Sequence, residues 1–270
     1  MDEFESELNI IHTILKNDET YTKLELNNNH YSHWIKHKKM YMMTYKKTTH
    51  CNILMSFLVY ALCENPHINE IWITVSLDGT INLIEKIITS RHWKSIFVSG
   101  HSLSIIRILS LKNNNSLTKL KLSSILNISD SIDNFMKHSH LLEYFEFNLI
   151  HADTIDSQKC IAESIKKSNI KTLVINVDIC NSHEFIKDII QGKIRNIHLN
   201  FINEQNLYPF NLTNNHNILN FTVNKICPDH TQEIINKNKC YMFTILLCMN
   251  KKIIPRCVFK NLILKHLFMI

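Results

Sequence analysis

The sequence predicts an α/β solenoid, with short strands stacked into a parallel sheet and backed by helices. Three observations carry that expectation. A short apolar frame returns about every 24 residues along the chain. Between the frames, apolar residues recur at helical spacing. The 270 residues include only three glycines and four prolines, where average usage would give roughly nineteen and thirteen.

The frame is apolar-x-x-apolar-x-apolar. It appears as Ile68/Ile71/Ile73, Trp93/Ile96/Val98, Leu117/Leu120/Leu122 and Leu142/Phe145/Phe147, then as Ile170/Leu173/Ile175, Ile194/Ile197/Leu199 and Ile218/Phe221/Val223. Successive copies are 25, 24, 25, 28, 24 and 24 residues apart. All 21 framed positions are apolar in a chain that is 45% apolar. Chance gives that on the order of 10⁻⁷, before free choice of phase is discounted. An eighth copy fits at Met242/Ile245/Leu247, and upstream copies fit at Met40/Met43/Tyr45 and Tyr21/Leu24/Leu26.

Helical faces follow the frames: Ile81/Ile84/Ile87/Ile88, Ile132/Phe135/Met136, Ile161/Ile165 and Phe185/Ile186/Ile189/Ile190. Capping residues stand where these helices should begin, at Thr80, Ser129 or Asp130, Ser157, Ser182 and Thr231. A strand with one apolar face cannot bury it alone, so neighbouring repeats must stack. The stretch NEQNLYPFNLTNNH after the sixth frame carries Pro209 and polar runs, which predicts irregular structure.

The glycine shortage fits this architecture. Parallel strands joined by helical crossovers need no hairpin turns, and asparagine reaches positive φ more readily than most residues. The same shortage excludes glycine-rich phosphate loops and dinucleotide fingerprints, and also collagen-like sequence and Gly/Ser linkers.

The frame and its step length resemble the leucine-rich repeat family, in its ribonuclease-inhibitor-like branch, over residues 68–250 and, with the upstream copies, 40–250. The residues depart from the family pattern at one place. Where the family has Asn or Cys, three positions after the frame, this chain has Ser76, His101, Ile125, Ile150, Asp178, Ile202 and Ile226. A polar column instead follows the frame directly: Thr74, Ser99, Ser123, Asn148, Asn176, Asn200 and Asn224. Asparagines in register on stacked strands can form an amide ladder.

The resemblance implies a concave parallel sheet with helices on the convex side, and a protein partner bound on the concave face by the residues between the framed ones. The leading set is Glu70, Trp72, Phe97, Lys119, Lys121, Tyr144, Glu146 and His198. Trp and Tyr are typical interface anchors. The competing account of Trp72 and Phe97 is packing beneath the N-terminal region. Charge of both signs along the face disfavours nucleic acid there.

The rival signal lies in residues 29–47, where Trp34, Lys36, Lys38, Lys39, Lys46 and Lys47 place cations among aromatics with no acid between them. That composition suits RNA or an acidic partner. His30, His33 and His37 share one face if the segment is helical, but nearby lysines oppose a cation, so no metal is expected.

No nucleophile elbow, His-Glu-x-x-His or paired-cysteine motif occurs; His151, Asp153 and Asp156 read as turn and cap residues, not acid–base machinery. The expectation is a non-enzyme without cofactors. The eight cysteines are scattered, with no C-x-x-C, and most read as buried thiols. The acidic start lacks a signal-peptide pattern, and the longest apolar stretch, 53–63, is too short to span a bilayer. A monomer in the cytoplasm is expected, the host's if the protein is viral. The wealth of Ile, Asn and Lys suggests an AT-rich genome, such as a protist's or a large DNA virus's. The domain reading is an N-terminal cap over 1–65, with helices near 5–16 and 50–63, a solenoid over 66–250 and a C-terminal cap over 251–270.

Overall fold

In a computed structural model the described residues form one nine-stranded, all-parallel sheet, with helices in most of the connections between strands. The structure describes residues 3–20, 22–27, 40–44, 51–74, 81–99, 106–109, 116–122, 129–149, 155–177, 183–201, 212, 215, 217–224, 226 and 228–250. The strands are β1 (Lys23–Asn27), β2 (Met40–Thr44), β3 (Glu70–Thr74), β4 (Ser95–Val98), β5 (Lys119–Leu122), β6 (Tyr144–Leu149), β7 (Thr172–Val177), β8 (Asn196–Phe201) and β9 (Asn220–Val223). The helices are α1 (Glu3–Leu15), α2 (Cys51–Glu64), α3 (Ile81–Ser90), α4 (Ser129–His138), α5 (Ile155–Lys167), α6 (His183–Ile190) and α7 (Asp229–Asn250).

Seven strands follow the seven frames in register. Ile71, Ile96, Leu120, Phe145, Leu173, Ile197 and Phe221 lie side by side across β3 to β9. Each is at most 1% exposed, because the pleat sends every second side chain to the helical layer. The expected helical faces meet them there: Ile84, Ile87 and Ile88 of α3, Ile132, Phe135 and Met136 of α4, Ile161 and Ile165 of α5, and Phe185, Ile186, Ile189 and Ile190 of α6 are all buried. Burying each such side chain contributes about 1.5–3 kcal/mol. Phe147 sits in this layer between Phe145 and Phe185, with ring centroids 5.0 and 6.3 Å away.

One backbone device recurs before β1 and before each of β3 to β8. The carbonyl of the residue before a strand accepts two N–H groups from the next repeat: Lys94 O takes Thr118 N and Lys119 N at 2.9 and 3.0 Å. Thr22, Asn69, Thr118, Glu143, Lys171 and Arg195 do the same. This fixes the register of each repeat on the last.

The polar column forms the expected ladder over three strands. Asn176 Nδ2 donates to Asn148 Oδ1 at 2.7 Å, and Asn200 Nδ2 donates to Asn176 Oδ1 at 2.8 Å. Asn224 leaves the ladder. It adopts a positive φ of 48°, and its Oδ1 accepts the Phe201 backbone N–H at 2.7 Å. Asn17, just past α1, has a φ of 55°, so asparagine does supply left-handed positions in this chain.

Four expectations need correction. The eighth frame, Met242/Ile245/Leu247, is not a strand but lies inside α7. Met242 and Ile245, three apart, also suit one helical face, and no Gly or Pro interrupts 229–250. The buried stripe Thr231, Ile235 and Asn238 anchors the first half of α7, and Asn238 Nδ2 bonds Asn215 O and Ile218 O, both at 2.9 Å. The Met40 frame is displaced by two residues, since Leu24 and Leu26 of β1 pair with Tyr41 and Met43, not with Met43 and Tyr45. The N-terminal region is more than a helical cap, because β1 and β2 extend the same sheet in the order β2-β1-β3. Finally, Ser157 and Thr231 lie inside the first turns of α5 and α7 and are not caps. Helices α1 and α2 match the two N-terminal helices expected. Thr80, Ser182, Gly79, Gly100, His30, His33 and His37, together with residues 251–270, lie outside the described residues.

Candidate interaction face

The side chains alternating with the buried frame line the open face of the sheet in two rows. One runs Lys23, Glu70, Ser95, Lys119, Tyr144, Thr172, Asn196, Asn220, and the other Glu25, Trp72, Phe97, Lys121, Glu146, Val174, His198, Thr222. Trp72, Phe97, Lys121 and Glu146 are thus direct neighbours on four adjacent strands. Glu70, Lys119 and Tyr144 stand in the row beside them. His198 does not join this group, because Val174, 9% exposed, separates it from Glu146.

The aromatic and charged residues hold one another. Trp72 and Phe97, both half-buried, pack with centroids 5.0 Å apart and planes tilted by 45°. Trp72 Nε1 donates to Glu70 Oε1 at 2.6 Å. Lys23 Nζ pairs with the same oxygen at 2.9 Å and stands 5.8 Å from the Trp72 ring centroid. On the other side of Phe97, Glu146 bridges two partners: Lys121 Nζ at 2.8 Å and the Tyr144 hydroxyl, which donates to it at 2.6 Å. Burial, that hydrogen bond and the Glu146 charge together push the Tyr144 phenol above its ordinary range. Tyr144 therefore stays a neutral donor. Lys119 is exposed and has no side-chain partner among the described residues.

The C-terminal half of the face is neutral. Asn196 Nδ2 donates to Thr172 Oγ1 at 3.0 Å, and His198 Nδ1 lies 2.7 Å from Thr222 Oγ1. Burial holds the His198 pKa below its usual value, so the ring is uncharged near neutral pH. The charge mixture expected for this face becomes two closed clusters at one end and an amide and hydroxyl surface at the other.

Lys23 and Glu25 belong to the face but were not among the residues singled out from the sequence. The Tyr21/Leu24/Leu26 frame carries the signal, since a strand in that phase turns 23 and 25 outward. N-terminal packing around Trp72 takes the form of this flanking strand, with Glu25 opposite Trp72 in register.

Of the rival segment, only the backbone of β2 is described; Trp34, Lys36, Lys38, Lys39, Lys46 and Lys47 lie outside the described residues. So do His151 and Asp153, while Asp156 sits in the first turn of α5. Among the described residues no three His, Cys, Asp or Glu side chains converge as metal ligands, and no helix is long and apolar enough to cross a membrane. No known protein family, no curated protein and no solved structure matches the chain.

Proposed function

We propose that this chain is a non-catalytic scaffold of the leucine-rich-repeat kind that binds a partner protein on the open face of its sheet. The observation supporting this most directly is the Trp72–Phe97 pair, half-buried on a sheet face and held by Glu70 and Lys23. Such an anchor loses little side-chain freedom on binding, and pre-organisation of this kind lowers the cost of association. Tryptophan is also enriched at the energetic centres of protein interfaces. The ribonuclease-inhibitor-like repeat type, a cytoplasmic setting and a monomeric resting state belong to the same proposal.

Trp72→Ala combined with Phe97→Ala tests it. The double variant is expected to lose partner capture in pull-downs from the native cell while its circular-dichroism melting curve keeps a single transition close to that of the parent. Undiminished capture by a folded double variant would refute the reading. A collapse of the melting transition would assign the two rings to holding β1 against β3.

A further inference from the structure

We infer that the rim of the solenoid where helices hand over to strands docks an acidic, extended segment of the partner protein. The inference rests on the protein-binding reading above and adds the partner's chemistry to it.

The described helix-to-strand rim of the sheet is basic from β4 to β8. From β3 onward, the described helix-to-strand connections 65–69, 91–94, 139–143, 168–171 and 191–195 hold Arg91, Lys94, Lys171, Lys193 and Arg195 against Glu143, while the connection before β1 carries Asp18 and Glu19 beside Lys16. Helix dipoles explain part of this, because cations favour the last turn of a helix. Lys137, Lys166 and Lys167 fit that account, and each is also paired, with Asp133 at 2.6 Å, Asp188 at 3.6 Å and Glu163 at 3.7 Å. Arg91 closes α2, donating to Leu62 O at 2.9 Å and Asn65 O at 2.6 Å.

Lys94, Lys119 and Arg195 are different. They stand beyond the helix ends, where the dipole effect has decayed. All three are exposed, and none has an ion-pair partner among the described residues. Lys94 and Lys119 are neighbours across the doubly accepting carbonyl of Lys94. Arg195 lies before β8 on the same rim, beyond the Lys171–Glu143 pair. The strip from β4 to β8 crosses four strand spacings, about 19 Å. An extended peptide of about six residues covers that length. A polypeptide suits the strip better than a nucleic acid, because Glu143 interrupts it and Glu70 and Glu146 border it. A phosphate backbone carries charge at every unit, whereas a peptide can set a neutral or basic residue opposite each carboxylate.

The test is fluorescence anisotropy of the whole chain with a labelled peptide of alternating Glu and Ser, and with a labelled uridine oligonucleotide as a second arm. The peptide is expected to bind, and to weaken about tenfold between about 50 and about 300 mM salt. A similar loss of about tenfold is expected in a Lys94→Glu, Lys119→Glu, Arg195→Glu variant, with a smaller loss when the same residues become Gln. The Gln set guards against misfolding of the charge-reversed protein. The Trp72→Ala, Phe97→Ala variant should keep peptide affinity, since the rim does not use those rings. Absence of peptide binding at low salt overturns the proposal, as does equal affinity in the Gln and Glu variants and the parent, or tighter binding of the oligonucleotide. Because the aromatic pair reads the sheet and the three cations read the rim, a failure of either reading is seen separately.

Discussion

Replacing Asn176 with alanine removes the middle of the amide ladder. Its Nδ2 donates to Asn148 Oδ1 at 2.7 Å and its Oδ1 accepts from Asn200 Nδ2 at 2.8 Å, so one truncation deletes two hydrogen bonds. A typical hydrogen bond contributes about 0.5–1.5 kcal/mol net, which puts the pair at about 2 kcal/mol. Asn148, Asn176 and Asn200 are only half-buried, so the two stranded amides recover some hydration. The expected loss is therefore about 1–2 kcal/mol. Urea unfolding of the parent and variant measures it. Asn220→Ala is the control: the same residue type on the same sheet, exposed and outside the ladder, with an expected effect within about 0.5 kcal/mol. If Asn176→Ala costs no more than Asn220→Ala, the ladder is a geometric coincidence of stacked asparagines and contributes nothing to register.

Asn224 separates backbone strain from side-chain bonding. Asn224→Gly keeps the positive φ and loses only the Phe201 bond, an expected cost of about 1 kcal/mol in urea unfolding. Asn224→Val adds about 1–2 kcal/mol for a branched side chain at left-handed φ, and equal costs would contradict that account. His198 bears on pH. Its folded pKa is lowered, so below the ordinary histidine range the unfolded chain takes up the proton more readily, and stability falls as pH drops from about 7 towards 5. Thermal midpoints of His198→Asn should fall less steeply than the parent's over that interval; identical slopes would count against the burial argument.

The repeat was legible because a strand with one buried face must place apolar residues at alternate positions, and the 24-residue return of that pattern is dictated by the geometry of stacking. The outward residues Trp72, Phe97, Lys121 and Glu146 followed from the same alternation, and the structure sets them side by side. What escaped was of two kinds. Met242 and Ile245 suit a helical face as well as the frame, and only the uninterrupted helix from Asp229 decides between them. The positions of β1 and β2 escaped because order along a sheet is not written in spacing. Read by chain order alone, β2 would lie between β1 and β3, whereas β1 occupies that place. Lys23 therefore reaches Glu70 and Trp72, a contact between residues 47 and 49 positions apart that no local pattern announces.

That strand order changes how the chain can be shortened. An ordinary solenoid can be trimmed from its end one repeat at a time, each cut exposing one fresh edge. Here the first strand of the chain is the second strand of the sheet, hydrogen-bonded to β2 on one side and β3 on the other. Removing the residues before Met40 would cut an interior plank out of the sheet and leave β2 with no neighbour on its inner side. The first cut that leaves a whole sheet comes after β2, and it takes Lys23 from the Trp72 cluster with it. During synthesis, likewise, β1 waits with one edge unpaired until Glu70–Thr74 emerges, so this end of the sheet closes last among its first three strands and not first.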